Sequence, residues 1–377
     1  MTTDVFLTRT AAFLPFSPVS NEDIEDVLGR IGGKASRARR LILRSNGIQS
    51  RHYAIDRATG ELAMTNAQLT ASAIRALGDV GQVDCLVTGT SLPDQLMPNH
   101  AVMVHGELGW PRLEVVACAG ICLAGAAAMK HAWLSVRAGD ARRAVATGSE
   151  LASAVMRGSR FEAEFEHKLE ALEARPELAF EKDFLRWMLS DGAGAVLLER
   201  EPRGPLSLRI DWIDLSSAAH ELPACMYAGA EKNAEGGLDG WARKSPEEWR
   251  SESTFAVKQD VRLLNENIVR ATLAEPLAQV IERRGLKPAD VDWFLPHLSS
   301  QYFVEPVSRS LEELGFPIPR ERWFSNLATK GNTGSASPYI MLDELFRSGR
   351  IKPGQKLLMF VPESGRFSSG FIYMEAV

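Results

Sequence analysis

The chain has 377 residues, of which 45% are hydrophobic and 24% are charged, and its formal net charge is -5. This composition is typical of a globular protein, and the slightly acidic charge argues against a general nucleic-acid binder. No run of about 18 apolar residues predicts a membrane span, and the N-terminus lacks the pattern of a secretory signal. Without an export signal, the four cysteines are expected to be reduced thiols in the cytoplasm, and their spacing matches no zinc site.

A basic run near the N-terminus has two interpretations. It is either a solvated helix face or a surface that attracts an anionic partner, such as the phosphopantetheine of a carrier protein or the phosphates of coenzyme A. Its members are Lys34, Arg37, Arg39, Arg40, Arg44 and Arg51.

Short apolar runs typical of strands alternate with helical stretches along the chain, which predicts an α/β layered fold with a largely buried sheet. The predicted strands cover residues 83–90, 112–119, 142–149, 192–199, 293–299 and 356–363. The predicted helices cover residues 67–78, 119–137, 257–284 and 338–347.

Three segments of the first half return in the same order in the second half. VDCLVTGTS resembles VDWFLPHLS, AVATGSELAS resembles LMFVPESGRFSSG, and GAGAVLLE resembles SSGFIYMEA. The repeated order predicts two related halves, residues 1–204 and 205–377, packed as one body. A polar segment, 157–189, is predicted as a helical insertion in the first half, and 228–253 as a surface insertion in the second.

The segment RLEVVACAGICLAGAAAM leads from a strand into a helix that lacks polar residues, which is typical of a buried central helix. Cys118 is expected at the strand-to-helix turn, where free backbone N–H groups and the helix dipole favour a thiolate. This makes Cys118 a candidate nucleophile, with a buried apolar cysteine as the alternative. Cys122, one turn further on, is expected to be inert core.

Two polar residues of the second half suggest partners for that nucleophile. His297 follows an apolar strand, at the edge of the sheet where α/β proteins commonly bind ligands. Asn332 lies in the small-residue loop KGNTGSAS that opens a helix. Each residue alone is readily explained as a core histidine or a turn asparagine, but the order Cys, His, Asn together fits thioester chemistry.

At this point the sequence resembles the ketoacyl synthase III branch of the thiolase superfamily. VACAG is similar to its nucleophile motif, Pro296–His297 to its histidine motif, GNTGSAS to its asparagine motif, and SDGAGAVLLE and RSNGIQSRHYA to two further family segments. The resemblance spans nearly the whole chain. It implies a thiolase fold of two βαβαβαββ halves in five layers, αβαβα, and a cytoplasmic homodimer with no cofactor.

Within that branch, three stretches are most similar to the ketosynthase-cyclases that make dialkylresorcinols and the stilbene ring precursor. They are the long N-terminal opening, FLRWMLSDGAGA and the ending PESGRFSSGF, where the fatty-acid initiator has a Gly-rich sequence. This resemblance implies that an acyl thioester on Cys118 condenses with a β-ketoacyl thioester, carried by acyl carrier protein or coenzyme A. Ring closure to a cyclohexanedione follows, and a separate aromatase completes the resorcinol.

Further residues are expected to support that reaction. Glu150 and Arg366 are candidates for ring closure, with a structural salt bridge, or no contact, as the alternative. The backbone N–H groups of Cys118, Phe367 and Ser368 are candidates for the oxyanion hole. The candidate substrate-binding residues are Met97, Trp187 and Arg44. Met97 either reaches across the dimer or packs in the ordinary way, and Trp187 either lines the pocket or belongs to the core. Arg44 is part of the basic run.

Other functions remain open from the sequence alone. A plain ketoacyl synthase III that makes linear chains is the nearest alternative, and a non-catalytic partner subunit of a ketosynthase is one from another class. A degradative thiolase is less favoured because no cysteine follows Cys225, and a type III polyketide synthase lacks support from the early motifs. An α/β domain with a structural cysteine is the simplest alternative.

Overall fold

A computed structural model of the chain describes residues 3–36, 39–161 and 185–377. Its strands are β1 (Phe6–Phe13), β2 (Val19–Ser20), β3 (Ser50–Arg51), β4 (Cys85–Thr90), β5 (Glu114–Ala119), β6 (Arg143–Glu150), β7 (Gly192–Glu199), β8 (Leu208–Ser217), β9 (Met226–Tyr227), β10 (Ala230–Lys232), β11 (Leu238–Gly240), β12 (Lys258–Gln259), β13 (Trp293–Pro296), β14 (Lys356–Glu363) and β15 (Ser368–Ala376).

The α-helices of the described residues are α1 (Ile24–Leu28), α2 (Arg39–Asn46), α3 (Asn66–Arg75), α4 (His100–Leu108), α5 (Leu123–Ala138), α6 (Ser153–Met156), α7 (Pro246–Ser251), α8 (Val261–Val269), α9 (Glu275–Arg284), α10 (Val304–Glu313), α11 (Leu327–Lys330) and α12 (Ser337–Arg347). A π-helical turn, Arg270–Ala274, joins α8 to α9. Within the described ranges, no helix is both long enough and apolar enough to cross a membrane.

The first half follows the order βαβαβαββ. Its strands β1, β4, β5, β6 and β7 form one side of the main sheet in the spatial order β5-β4-β6-β7-β1. β4 pairs in parallel with both β5 and β6, because α4 and α5 carry the chain back across the sheet between them. β6, β7 and β1 then pair antiparallel.

The second half repeats this plan with β8, β13, β14 and β15 in the spatial order β13-β14-β15-β8. The strand equivalent to β5 is reduced to a single parallel bridge between Phe294 and Trp323. β8 pairs with β1 through Phe6–Arg209 and Leu7–Leu208, so both halves share one nine-stranded sheet. The similar sequence segments fall on equivalent strands: β4 and β13, β6 and β14, β7 and β15.

Three separate apolar clusters show that the helices and the sheet are stacked in five layers. One cluster packs α3 and α4 against the outer face of the first half's strands. A second lies between the strands of both halves and contains α5 and α12. The third packs α8, α9 and α10 against the outer face of the second half. The thiolase-like αβαβα arrangement predicted from the sequence is therefore confirmed.

The two central helices approach each other closely at their N-termini. A Cβ atom on Gly148 of β6 would lie 2.2 Å from the carbonyl oxygen of Ser335, so only glycine admits the turn that precedes α12. The Tyr339 hydroxyl donates a hydrogen bond to the carbonyl oxygen of Gly125 in α5 at 2.7 Å. These contacts bring the starting residues of α5 and α12 to one place between the sheets.

Most predicted elements agree with the structure within a few residues, and the exceptions have clear causes. α5 begins at Leu123 rather than at residue 119, because β5 continues through Ala119. The predicted insertion 228–253 is not devoid of structure, since it forms the β10–β11 hairpin and α7. Of the predicted helical insertion 157–189, residues 162–184 lie outside the described residues.

The close packing at Gly148 generates a stability prediction. Gly148→Ala is expected to lower the free energy of unfolding by about 1–3 kcal/mol, because the new methyl group overlaps a backbone oxygen that has no room to move. Gly106→Ala in α4 is the matched control. It meets no atom within 4 Å and is expected to be neutral, or to stabilise by up to about 1 kcal/mol. Equal denaturant midpoints for the two variants would contradict this account of the central packing.

Candidate active site

Two cavities meet at the N-terminus of α5, and Cys122, Ser299 and Ser364 line both of them. The first cavity has a volume of about 50 Å³ and an apolar wall formed mainly by Leu264, Ile268, Val269, Leu273, Phe303, Val307 and Phe360. The second has a volume of about 310 Å³ and contains polar groups from both halves, among them Ser91, Glu150, Gln259 and Asn332. Convergent polar groups in such a cavity are typical of a ligand site.

Of the two cysteines in this region, Cys122 is the one that faces the cavities. It is the N-cap residue of α5 and is half-buried. Cys118 lies four residues earlier, next to the end of β5 and paired with Gly89 of β4; it is also half-buried, and both cysteines pack against the central apolar cluster. It lines neither of these two cavities. The expected position of Cys118 at the helix N-terminus is thus occupied by Cys122, which the sequence had suggested was inert core.

Neither cysteine has the lowered pKa that a helix N-terminus suggests. Burial raises the pKa of the Cys118 thiol. The pKa of the Cys122 thiol is raised well above its usual value by burial, and then by the negative charges of Glu363 and Glu150. The helix dipole therefore does not keep a free thiolate here, because carboxylates of both halves lie close to the sulfur.

The carboxylate of Glu363 occupies the N-terminal amides of α5. Its Oε2 accepts hydrogen bonds from the backbone N–H groups of Ile121, at 2.8 Å, and of Leu123, at 3.0 Å. These amides stand immediately before and after Cys122. An anion at this position is favourable for the helix, since it satisfies two N–H groups that have no partner within the helix.

His297 follows β13 and lies on the wall of the apolar cavity with Cys122. Its backbone N–H donates to the carbonyl oxygen of Phe360 at 2.8 Å, which fixes the residue at the sheet edge. The ring is buried, and its Nδ1 has no hydrogen-bond partner within the described chain. Burial lowers the pKa of His297 to about 4, so the imidazole is neutral at physiological pH.

Asn332 lies on the wall of the second cavity and is held on three sides. Its Oδ1 accepts from the Gly334 N–H at 3.0 Å, its own N–H donates to the Met188 carbonyl, and its carbonyl accepts from the Ser190 N–H. Because Oδ1 is engaged, the amide Nδ2 is the group left to donate a hydrogen bond into the cavity. The structure therefore places both predicted partners, His297 and Asn332, around Cys122.

Glu150 ends β6 and is buried against the turn that precedes α12. Its carboxylate accepts hydrogen bonds from the Ser91 hydroxyl at 2.5 Å, the Ser91 N–H at 3.2 Å and the Ser335 N–H at 3.1 Å. Gly334 has a φ of 51°, and a Cβ atom there would lie 2.6 Å from Cγ of Glu150. Burial raises the pKa of Glu150 to about 7, and its hydrogen bonds only partly oppose that shift.

Glu150 and Glu363 are equivalent residues of the two halves. Each ends the last strand but one of its half and pairs with the first residue of the strand that follows, Gly192 or Ser368. Glu150 bonds to an amide at the start of α12, in the opposite half, while Glu363 bonds to the amides at the start of α5. Each carboxylate thus binds backbone amides of the opposite half, and both lie close to Cys122.

The loop that contains the predicted oxyanion and ring-closure residues differs from expectation. Arg366 is exposed, and its Nε donates to the Leu222 carbonyl at 2.8 Å. In the described chain it makes no ion pair with Glu150, and Glu363, not Arg366, holds the strand-end position equivalent to that of Glu150. Phe367 is buried with a φ of 57°, and its carbonyl, not its N–H, is engaged, by Ala218. Ser368 begins β15, opposite Glu363.

The predicted substrate-binding residues lie away from the two cavities. Trp187 is fully buried beneath the Arg186 guanidinium, and its carbonyl accepts from Asn46, so it belongs to the core. Met97 is 85% exposed, just before a cis peptide bond to Pro98. Neither lines either cavity.

The basic run divides into surface and core. Arg40 and Arg44 on α2 are exposed, whereas Arg51 is fully buried and donates to the Asn21 side chain and the Trp187 carbonyl. Arg51 is therefore not part of a docking surface. Arg37 lies outside the described residues.

One group of potential metal ligands stands apart from the site. Ligand atoms of Cys85, Glu114 and His131 lie within 4.8 Å of one another at the β4–β5 edge. None of the three lines either cavity.

Known proteins of similar sequence or shape share this fold. The family described as 3-Oxoacyl-[acyl-carrier-protein (ACP)] synthase III C terminal matches residues 281–373, the part that contains His297 and Asn332. A β-ketoacyl-[acyl-carrier-protein] synthase III of Xanthomonas oryzae pv. oryzae is 27% identical over 376 residues, which cover 98% of this chain and 96% of that protein.

Solved structures of similar shape cover the whole chain. The tetronic acid condensing enzyme AbyA1 aligns with a TM-score of 0.73 and 19% identity over 98% of this chain and 99% of its own. A variant of Xanthomonas campestris OleA, crystallised with lauric acid and lauroyl-CoA, has a TM-score of 0.73 and 19% identity over 100% of both chains. The fold is thiolase-like. Over nearly its whole length the chain is similar to β-ketoacyl-[acyl-carrier-protein] synthase III.

The raised pKa of Glu150 predicts how stability depends on pH. The folded protein holds a proton on Glu150 that the unfolded chain releases, so stability falls as the pH rises from about 4.5 to about 7. Between about pH 5 and about pH 8, wild type is expected to lose roughly 3 kcal/mol more than Glu150→Gln. Burial also raises the pKa of Asp191, to about 6, so the comparison of the two proteins isolates Glu150. Parallel pH profiles from denaturant titrations would contradict a protonated Glu150.

Proposed function

We propose that the chain joins two acyl thioesters by Claisen condensation through an acyl-enzyme on Cys118. The observation that carries the proposal is that the turn directly after β5, next to Cys118, borders two cavities, one with His297 and the other with Asn332. Of the two half-buried cysteines, Cys118 also has the smaller rise in thiol pKa, because burial alone raises it, whereas Glu363 and Glu150 raise that of Cys122 further. Cys122, which lines both cavities, is the alternative nucleophile.

The condensation step uses hydrogen-bond donors of neutral groups. Since Nδ1 of the neutral His297 has no partner in the described chain, we assign the ring proton to Nε2, and Asn332 offers its Nδ2. Both donate to the thioester oxygen of the second substrate, which stabilises the enolate that forms when the α-carbon loses a proton. The enolate attacks the acyl carbonyl on Cys118 and a carbon–carbon bond forms, while the cysteine sulfur leaves and takes up the proton that the α-carbon lost. Preorganised donors of this kind contribute about 10²–10³ each in rate.

The finer proposal is that the second substrate is a β-ketoacyl thioester and that the product closes to a cyclohexanedione, the precursor of a dialkylresorcinol. Two features support it. The larger cavity has room for a folded chain beside Cys122, and Glu150 faces that cavity with a pKa near neutrality, where a carboxyl group both gives and accepts protons. A linear β-ketoacyl product, as from a plain ketoacyl synthase III, is the alternative.

The exposed residues indicate which acyl donors and which protein partners the chain binds. Exposed Arg40 and Arg44 suit the phosphates of a carrier protein's phosphopantetheine or of coenzyme A. β5 is an edge strand of the main sheet, and Leu96 and Met97 are exposed apolar residues, 66% and 85% accessible. An unpaired edge and exposed apolar side chains favour a homodimer, in which Met97 would enter the partner's site. An aromatase is the proposed downstream partner.

The nucleophile is tested by intact-protein mass spectrometry after mixing with lauroyl-coenzyme A. Wild type and Cys122→Ala are expected to gain one acyl group, and Cys118→Ala is expected to gain none, because the nucleophilic sulfur is gone. His297→Ala is expected to keep the acyl adduct but to lose about 10²–10³ in condensation rate. Labelling lost in Cys122→Ala and kept in Cys118→Ala would move the role to Cys122. A wild type that takes up no acyl group from any carrier-protein or coenzyme A thioester would favour a non-catalytic subunit.

The ring-closing role of Glu150 is tested by product analysis. Glu150→Gln is expected to acylate Cys118 normally and to release linear condensation products in place of the cyclohexanedione, since the amide has no proton to exchange at neutral pH. Liquid chromatography with mass spectrometry separates the two products. Loss of acylation together with cyclisation would argue that Glu150 only holds the turn before α12. A linear product from wild type itself would reduce the function to a plain ketoacyl synthase.

A further inference from the structure

Cys85, Glu114 and His131 form a cluster of metal-ligand side chains that the condensation reaction does not use. The sulfur of Cys85, a carboxylate oxygen of Glu114 and a ring nitrogen of His131 all lie within 4.8 Å of one another. The three residues come from β4, β5 and α5, and none of them lines either cavity of the active site. The cluster is therefore a separate feature of the first half of the chain.

The fold holds these three side chains on one face of the main sheet. Cys85 begins β4 and pairs in register with Glu114, the first residue of the edge strand β5, so their side chains leave the same face of the sheet. Cys85 belongs to the apolar cluster that contains α5, which shows that α5 covers this face. His131 lies in the middle of α5, and this helix packs on both strands. A strand pair and a helix, rather than a loop, thus fix the geometry of the cluster.

One side of the cluster is buried and the other is open to solvent. Cys85 is fully buried, whereas the side chains of Glu114 and His131 are 46% and 42% exposed. Nε2 of His131 lies 3.8 Å from Oε1 of Glu114, and within the described chain this carboxylate has no ion pair with a lysine or arginine. The sulfur is therefore fixed, while the carboxylate and the imidazole can turn toward an ion that enters from solvent.

A thiolate, a carboxylate and an imidazole are the three donor types that zinc binds in proteins. Zinc–ligand bonds of about 2.0–2.3 Å in a tetrahedron place the ligand atoms about 3.5 Å apart, so the atoms of the cluster need to approach by only about 1 Å. The thiolate and the carboxylate together balance the two positive charges of Zn²⁺, which leaves no net charge in a half-buried site. A thiolate does not suit Mg²⁺ or Ca²⁺, because both prefer oxygen ligands.

We propose that Cys85, Glu114 and His131 bind a zinc ion whose fourth ligand is a water molecule on the open side. The Cys85 sulfur gives its proton to solvent as the zinc–sulfur bond forms, and no oxidation state changes. Because the site is separate from both cavities, the ion has a structural role: it ties the edge strand β5 to β4 and α5. Cys118 lies four residues further along β5, on the same face, so the ion steadies the strand that carries the proposed nucleophile.

The test titrates the metal-free full chain with Co²⁺, which replaces zinc and gives a charge-transfer absorption band when a thiolate binds it. Wild type is expected to bind one equivalent of Co²⁺ with this band, and one equivalent of Zn²⁺ is expected to abolish the band. Cys85→Ser is expected to lose the band, and His131→Gln and Glu114→Gln are expected to bind at least about 10-fold more weakly. The last two variants change half-exposed side chains, so they report on the site even if Cys85→Ser fails to fold.

Two controls separate this site from other metal ligands of the chain. His220→Gln removes an imidazole from an exposed pair with Glu221, outside the cluster, and Cys118→Ala removes the active-site sulfur; both are expected to keep the band. Zn²⁺ is also expected to raise the thermal midpoint of wild type but not of His131→Gln.

The zinc site would be overturned by a wild type without the band, by a band that survives in Cys85→Ser or depends on Cys118, or by unchanged affinity in both His131→Gln and Glu114→Gln. Acyl transfer to Cys118 is measured separately by mass spectrometry, so failure of the proposed function and failure of the zinc site are distinguishable.

Discussion

The close approach of the two central helices between the sheets is the constraint on which the site depends. A glycine at 148 admits the turn before α12, and the Tyr339 hydroxyl ties α12 to the backbone of α5. Because the N-termini of both helices reach the same place, each presents free N–H groups there. Those groups must be satisfied in a region largely closed to water, and the chain satisfies them with carboxylates from the ends of β6 and β14.

The charge state of the two cysteines near this place follows from that arrangement. Burial raises the pKa of both thiols, and at Cys122 the negative charges of Glu363 and Glu150 raise it further, in a position that the helix dipole alone would make acidic. His297 is kept neutral by burial, so neither of the residues that the sequence pairs with the cysteine supplies a positive charge to offset the two carboxylates. The charge balance of the site points to proton transfer within it rather than to a standing ion pair.

The sequence predicted the layers of the fold well, because their signals are local. Buried strands such as β7 and β14 appear as uninterrupted apolar runs, and the repeat of three segments placed β4 with β13 and β6 with β14 before any coordinates. His297 and Asn332 were found for the same reason, since each lies at the end of a clear element. The start of α5 was harder to locate. The residues between β5 and α5 are all small or apolar, so nothing in the letters ACAGIC marks where the strand stops, and a shift of four residues exchanges Cys122 for Cys118.

The wrong position predicted for Arg366 has a different cause, which is the register of the hairpin formed by β14 and β15. The repeat correctly indicated that the end of β14 faces the end of β6, but segment similarity alone does not set the register of a hairpin. The backbone pairing does: Glu150 opposite Gly192 and Glu363 opposite Ser368 make the two glutamates equivalent and put Arg366 in the exposed turn. The carboxylate at the same position of both halves serves each half as a cap for the other's central helix. Only Glu363 has a cysteine, Cys122, between the two amides that it binds, whereas Glu150 lies beside the larger cavity with a pKa near neutrality.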